Sequence, residues 1–150
     1  MDDAVAIRWG VSASDLGEVR RCSLYPFMAP SAELDAEMMT NPDTVFAGAF
    51  DGDTPIGCIA VLPESKYDCG LRIRWFGVLE SERCRGIGTR LVESAQEYAA
   101  QRSESLWADV RIKAIPVYER LGFEPLGDFF DLPKIGTHRV MKWASSGLRP

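Results

Sequence analysis

Several residues that would make a function easy to name are scarce in this chain. It holds one histidine, His138, and four cysteines, Cys22, Cys58, Cys69 and Cys84, irregularly spaced and without a Cys-x-x-Cys pair. That leaves no recognisable zinc-ligand set. Reduced thiols in a cytoplasm are a simpler reading than a disulfide. No stretch approaches the roughly 20 apolar residues of a membrane-spanning helix; the longest apolar run near the middle covers residues 56–62, counting Gly57. The chain opens Met1-Asp2-Asp3, without the basic and apolar regions of a signal peptide. Gly-x-x-x-x-Gly-Lys-Ser/Thr is absent, which excludes a P-loop. A basic surplus is lacking too. The net charge of −5 argues against bulk binding to nucleic acid or to an anionic membrane.

What remains is the composition of an ordinary globular domain. The 150 residues, 46% hydrophobic and 26% charged, fit one domain at about 100–200 residues each. That domain is expected over residues 1–143, followed by a small, polar tail at 144–150 without fixed order. The charge is unevenly spread. Residues 1–75 carry 6 basic and 12 acidic side chains, and residues 76–150 carry 11 and 10.

The pattern along the chain predicts strands at 5–9, 44–50, 55–62, 71–78, 106–110, 123–127 and 137–143. A turn-rich segment is expected at 65–70. Ser12, Ser14 and Asp15 offer N-cap oxygens to a helix ending near residue 22. A loop at 23–30 and a short helix at 31–39 follow. Ile87, Leu91, Val92, Ala95, Tyr98 and Ala99 recur at helical spacing and predict an amphipathic helix over 86–101. A last helix is expected at 113–121, with Gly122 just past its end. The order βααβββαβαββ implies an α/β (α+β) fold. Its sheet is mixed and mostly antiparallel, with one β-α-β crossover, right-handed by the general rule.

The chemistry concentrates between the strand ending at Val78 and the helix at 86. Arg83-Cys84-Arg85-Gly86-Ile87-Gly88-Thr89-Arg90 leads a strand into a helix N-terminus through two glycines and three arginines. Unpaired N–H groups and a partial charge of about +0.5 make that terminus an anion site. Glycines let a diphosphate approach the backbone, Thr89 adds a hydroxyl, and Arg83 and Arg85 add charge. A tight turn with its arginines in solvent is the alternative reading. Leu91 stands where a dinucleotide fingerprint has its third glycine, which disfavours that fold.

Arg83-x-x-Gly86-x-Gly88 resembles the acyl-CoA signature of the GNAT superfamily of N-acetyltransferases. A second stretch, Ala114-Ile115-Pro116-Val117-Tyr118-Glu119-Arg120-Leu121-Gly122-Phe123, resembles that superfamily's Ala-x-x-x-Tyr-x-x-x-Gly-Phe segment. The order of elements matches over about residues 5–143. The resemblance implies a GNAT-like fold with splayed central strands and acetyl-CoA as acyl donor to an amine. The pantetheine arm would pair near Phe76, Gly77 and Val78, and amides from Arg83, Cys84, Arg85, Gly86, Ile87, Gly88 and Thr89 would hold the pyrophosphate. Tyr118 would be the general acid for the leaving thiolate. Cys84 departs from a common glycine, Glu80 from a common proline, and Arg111 stands where the family often has asparagine. Arg111 would instead reach a CoA phosphate.

The resemblance does not place the general base. Glu64 at the end of a hairpin strand, His138 as the only imidazole, and Glu80 are candidates; each has an ordinary structural or solvated role as its alternative. The acceptor side is expected along 23–43, with Tyr25, Phe27, Met28, Met38 and Met39, residues that equally suit a core. Glu33, Asp35, Glu37 and Asp43 in that acidic half lead to an expected cationic amine acceptor. A CoA-binding module without turnover stays open as the alternative function, and a homodimer stays open as the assembly. No metal is implied.

Overall fold

A computed structural model describes residues 4–24, 41–83, 85–133 and 136–145. The expected helix at 31–39, the acceptor-side residues Tyr25 to Met39, Cys84 and residues 146–150 of the tail lie outside them. Ser145 is described, and it is buried.

Strand β1 (Val5–Trp9) leads into helix α1 (Ala13–Leu24). The Ser12 hydroxyl caps this helix by accepting the Asp15 N–H at 3.2 Å. Strands β2 (Val45–Asp51) and β3 (Thr54–Lys66) form the expected hairpin, with Asp51 opposite Thr54. Strand β3 runs four residues beyond its predicted end. The turn to β4 (Cys69–Val78) shrinks to Tyr67 and Asp68, both left-handed at φ 55° and 63°. Such two-residue turns normally advertise themselves with glycine or asparagine. Here tertiary contacts support the turn instead. The Trp107 indole donates to the Glu64 carbonyl at 2.7 Å, and the Lys66 ammonium sits over the Tyr67 and Trp107 rings.

Helix α2 (Ile87–Gln101) buries Ile87, Leu91, Val92, Ala95 and Ala99, the stripe expected from its period. After β5 (Leu106–Arg111) the predicted single helix divides. Residues Ile112–Ala114 form a 3₁₀ turn and α3 spans Ile115–Arg120. Pro116, which lacks an N–H, fits the first turn of α3, where none is needed. Strand β6 (Glu124–Leu132) passes an irregularity at 127–129 and so outruns its expected end, and β7 (Gly136–Trp143) closes the chain's sheet.

The seven strands lie in the order β1-β2-β3-β4-β5-β7-β6. Every neighbouring pair is antiparallel except β4 and β5, which are parallel and register only at Leu71–Leu106 and Arg72–Trp107. Beyond those two positions they part, and the splayed centre of the sheet is this opening. The main core, including Ile59, Ile73, Leu91, Leu106 and Met141, packs one face against α2 and α3. Leu16 and Val19 of α1 pack the other with Phe50 and Cys58.

A bulge in β4 sets which side chains face the opening. Cys58 pairs with Gly77 and Ala60 with Arg74, so two steps of β3 face three of β4. Trp75 takes the extra step at φ 58°, an unusual conformation for an aromatic residue. Without it, Trp75 would share the face of Ile73. Instead the indole packs with Phe46, Ala60 and Leu62 on the α1 side. Phe76 turns to the α2 and α3 side.

Candidate active site

The end of β4, the start of α2 and the segment from β5 to α3 enclose a cleft of about 460 Å³, in the range of small-molecule sites. Phe76, Gly77 and Val78 form one wall, and Arg83, Gly86, Ile87, Gly88 and Thr89 form the helix-start wall. Arg111, Lys113, Ala114, Val117 and Arg120 form the third. Among the described residues four basic side chains line this cleft and Glu82 is the one acidic residue, so its field favours an anion.

Its glycines have separate reasons. Gly86 is the N-cap of α2 at φ 76°, the left-handed region that a Cβ disfavours. Open space surrounds it, so conformation alone demands glycine. Gly88 is set by contact: a Cβ there would lie 3.2 Å from Cζ of Phe76, whose ring would have to give by a few tenths of an ångström. No side chain caps α2, and the Arg90 N–H donates to the Gly86 carbonyl at 3.1 Å. The N–H groups of Ile87, Gly88 and Thr89 are therefore presented at the cleft wall.

Val78 has a defined orientation. The Leu79 N–H donates to the Ile56 carbonyl at 2.9 Å. Successive residues of an antiparallel strand alternate sides, so Val78 directs its N–H and carbonyl away from β3, into the opening. The carbonyl accepts Nε of Arg83 at 3.2 Å. Arg85 instead pairs with Glu82 at 2.9 Å.

Tyr118 is not among the residues that line this cleft; it packs behind the wall formed by Phe76. Its ring is buried, edge-on to Phe76 at 5.6 Å and to Phe123 at 4.9 Å between centroids. Its neighbour Val117 reaches the cleft wall. Burial pushes the phenol well above its ordinary range, which keeps the proton on the oxygen.

The base candidates lie elsewhere. Both oxygens of Glu64 accept Nη1 of Arg72 at 3.1 Å. His138 is buried beside Phe130, with Nδ1 at 2.8 Å from the Gly136 carbonyl, and pairs in the sheet with Arg111. Neither lines the cleft; Glu80 is exposed in a 3₁₀ turn, Glu80–Glu82, and does not line it either. Sequence reasoning did not mark Glu82, Lys113, Ala114, Val117 or Arg120 as cleft residues. Lys113 directly precedes the second motif and Arg120 lies within it, and their charge was the available signal. Asp109 was missed as well. A carboxylate amid the buried residues of Leu106–Arg111 is an unusual pattern, and it pairs with Arg72 at 2.9 Å. Among the described residues no cluster could hold a metal ion, and no helix is long and apolar enough to cross a membrane.

Three kinds of likeness accompany this geometry. The model of the acetyltransferase (GNAT) family matches residues 15–123. An uncharacterized N-acetyltransferase, YitI of Bacillus subtilis, is 30% identical over 99 residues, covering 63% of this chain. The match spans 66% of that relative, just under two thirds of its length. A putative N-acetyltransferase from Lactobacillus plantarum superposes with a TM-score of 0.76 at 19% identity, over 95% of this chain and 99% of that one. Arabidopsis thaliana NAA60, solved in complex with acetyl-CoA, gives 0.70 at 18% identity, over 93% and 98%. At such identities the two structures speak for the fold.

Proposed function

Because the chain belongs to the acetyltransferase (GNAT) family, we propose that it transfers an acetyl group from acetyl-CoA directly to a primary amine of a small molecule or peptide. The carrying observation is the anion-favouring cleft that meets the parted strands at Val78. Its residues suit the donor. The N–H groups of Ile87, Gly88 and Thr89 would hold the pyrophosphate, Gly88 keeps the approach clear, and Arg111, Lys113 and Arg120 supply charge for phosphates. NAA60 is a protein of this fold solved with that donor.

Bound acetyl-CoA supplies a thioester whose carbonyl carbon is the electrophile. The Val78 N–H, aimed into the opening, would stabilise the negative charge that develops on that carbonyl oxygen. Arg83 anchors the Val78 carbonyl, and the pairing of β4 with β3 sets the direction of the Val78 N–H. The amine forms the new N–C bond as the C–S bond breaks. Tyr118 gives its proton to the departing thiolate, and the nitrogen loses one to water. The acceptor is proposed to be cationic, drawn by the acidic first half of the chain. Of Glu33, Asp35, Glu37 and Asp43, only Asp43 lies among the described residues, and it is exposed.

A CoA-binding module without turnover is the second reading. It is favoured by the absence of any carboxylate or imidazole other than Glu82 from the described cleft lining. Two measurements decide. Acetyl-CoA at 100 times its Kd should stabilise the protein by about 2.7 kcal/mol, and failure to do so rejects the donor site. Thiol release with a panel of amines then separates transferase from binding module.

A further inference from the structure

The face of the sheet turned away from α2 holds an ion cluster that the donor cleft does not use. Arg72 of β4 sits over Trp107, with the guanidinium carbon 4.5 Å from the ring centroid. It donates Nη1 to both oxygens of Glu64 at 3.1 Å and Nη2 to Oδ2 of Asp109 at 2.9 Å. Two carboxylates thus share one guanidinium. The allocation between them is unequal. Glu64 has both oxygens engaged, whereas Oδ1 of Asp109 accepts no hydrogen bond among the described residues and is not sealed from solvent. The Asp109 side chain keeps 24% of its surface exposed, against 13% for Arg72.

The position of Asp109 gives this asymmetry a meaning. Strands β4 and β5 pair at Arg72–Trp107 and part immediately afterwards, so Asp109 stands two residues into the opening. It shares a face of β5 with Arg111, about 7 Å further along at 3.3 Å per residue, and Arg111 lines the donor cleft. An accessible carboxylate oxygen therefore lies at the edge of the gap that leads from the α1 side of the sheet to Val78.

We propose that Asp109 is the acceptor-specificity residue: Oδ1 receives an ammonium group of the acceptor that does not react, leaving a second, neutral amine free to attack, while Arg72 and Glu64 position the carboxylate. This rests on the transferase reading and places its cationic preference in β5. Arg74 and Arg111 border the same face and have contacts of their own. They make an acidic acceptor the sharpest competitor.

The test uses the full chain with 1,4-diaminobutane, lysine methyl ester and glutamate as acceptors at saturating acetyl-CoA. The diamine and the ester should be acetylated in preference to glutamate. Asp109→Asn should raise their KM at least tenfold, with kcat changed much less and the Kd for acetyl-CoA kept. Asp109→Glu should recover part of the loss. Binding of 1,4-diaminobutane to the CoA-loaded protein, measured by calorimetry, is read in parallel. Binding by the parent chain that Asp109→Asn loses, without acetylation of any amine, supports the docking role and rejects the transferase reading. Equal KM values in parent and Asp109→Asn, preference for glutamate, or no diamine binding by the parent chain each overturn the proposal.

Discussion

Nε of Arg83 donates to the carbonyl oxygen of Val78 across 3.2 Å, tying the loop that leads into α2 to the last residue of β4. The bond joins the two parts of the cleft that must keep register: amides for a phosphate and an N–H for a carbonyl oxygen. Arg83→Gln keeps a side-chain donor and removes the charge. It should raise the KM for acetyl-CoA about tenfold, with a weaker salt dependence than the parent, measured at low and high ionic strength. An unchanged KM would remove Arg83 from the donor site.

Gly86 and Gly88 should fail differently when replaced. Gly86→Ala places a Cβ at φ 76° in open space, so it should cost about 1–2 kcal/mol of folding stability. Gly88→Ala meets Phe76 at 3.2 Å and narrows the cleft. It should weaken acetyl-CoA binding more than it lowers the thermal midpoint. Denaturation and calorimetry on both variants check the contrast, and reversed outcomes would overturn it.

Tyr118→Phe tests the acid role. Loss of a well-placed acid typically lowers the rate by about 10²–10⁴-fold, whereas full activity would assign the ring to packing alone. The pH dependence of stability has a definite sign. Burial raises the folded phenol above its ordinary value near 10. Above pH 10 the unfolded chain loses this proton first and binds fewer protons than the folded chain, so stability falls as pH rises, by up to about 1.4 kcal/mol per pH unit. Tyr118→Phe should show a shallower alkaline loss in denaturant titrations from pH 9 to 11.

Lys113 and Arg120 should act on the nucleotide end of the donor. Lys113→Ala with Arg120→Ala should raise the KM for acetyl-CoA several-fold and leave that for an acetyl-pantetheine thioester, which lacks the nucleotide, nearly unchanged. Equal effects on both donors would place these side chains elsewhere.

Much of this architecture was legible because it rests on local pattern. The apolar stripe from Ile87 to Ala99 defined α2, and Arg83, Gly86 and Gly88 marked its start as a candidate anion site. Other features depend on partners distant in sequence. Nothing local in Tyr67-Asp68 announces a two-residue turn, since Trp107, forty residues away in the chain, helps hold it. Trp75 reads as an ordinary strand residue. Only pairing against Cys58 and Ala60 shows the extra residue that swaps its face with Phe76.

The same division runs through the site. The sequence by itself determined the helix-start wall of the cleft, because a helix start with glycine at the turn presents its N–H groups whatever packs around it. Tertiary structure decided the polar residues. Glu64 is held on Arg72, His138 is packed beside Phe130, and Asp109 stands with one oxygen accessible where β4 and β5 separate. A side chain's charge is written in the chain. Whether that charge is already engaged depends on which strands lie beside it.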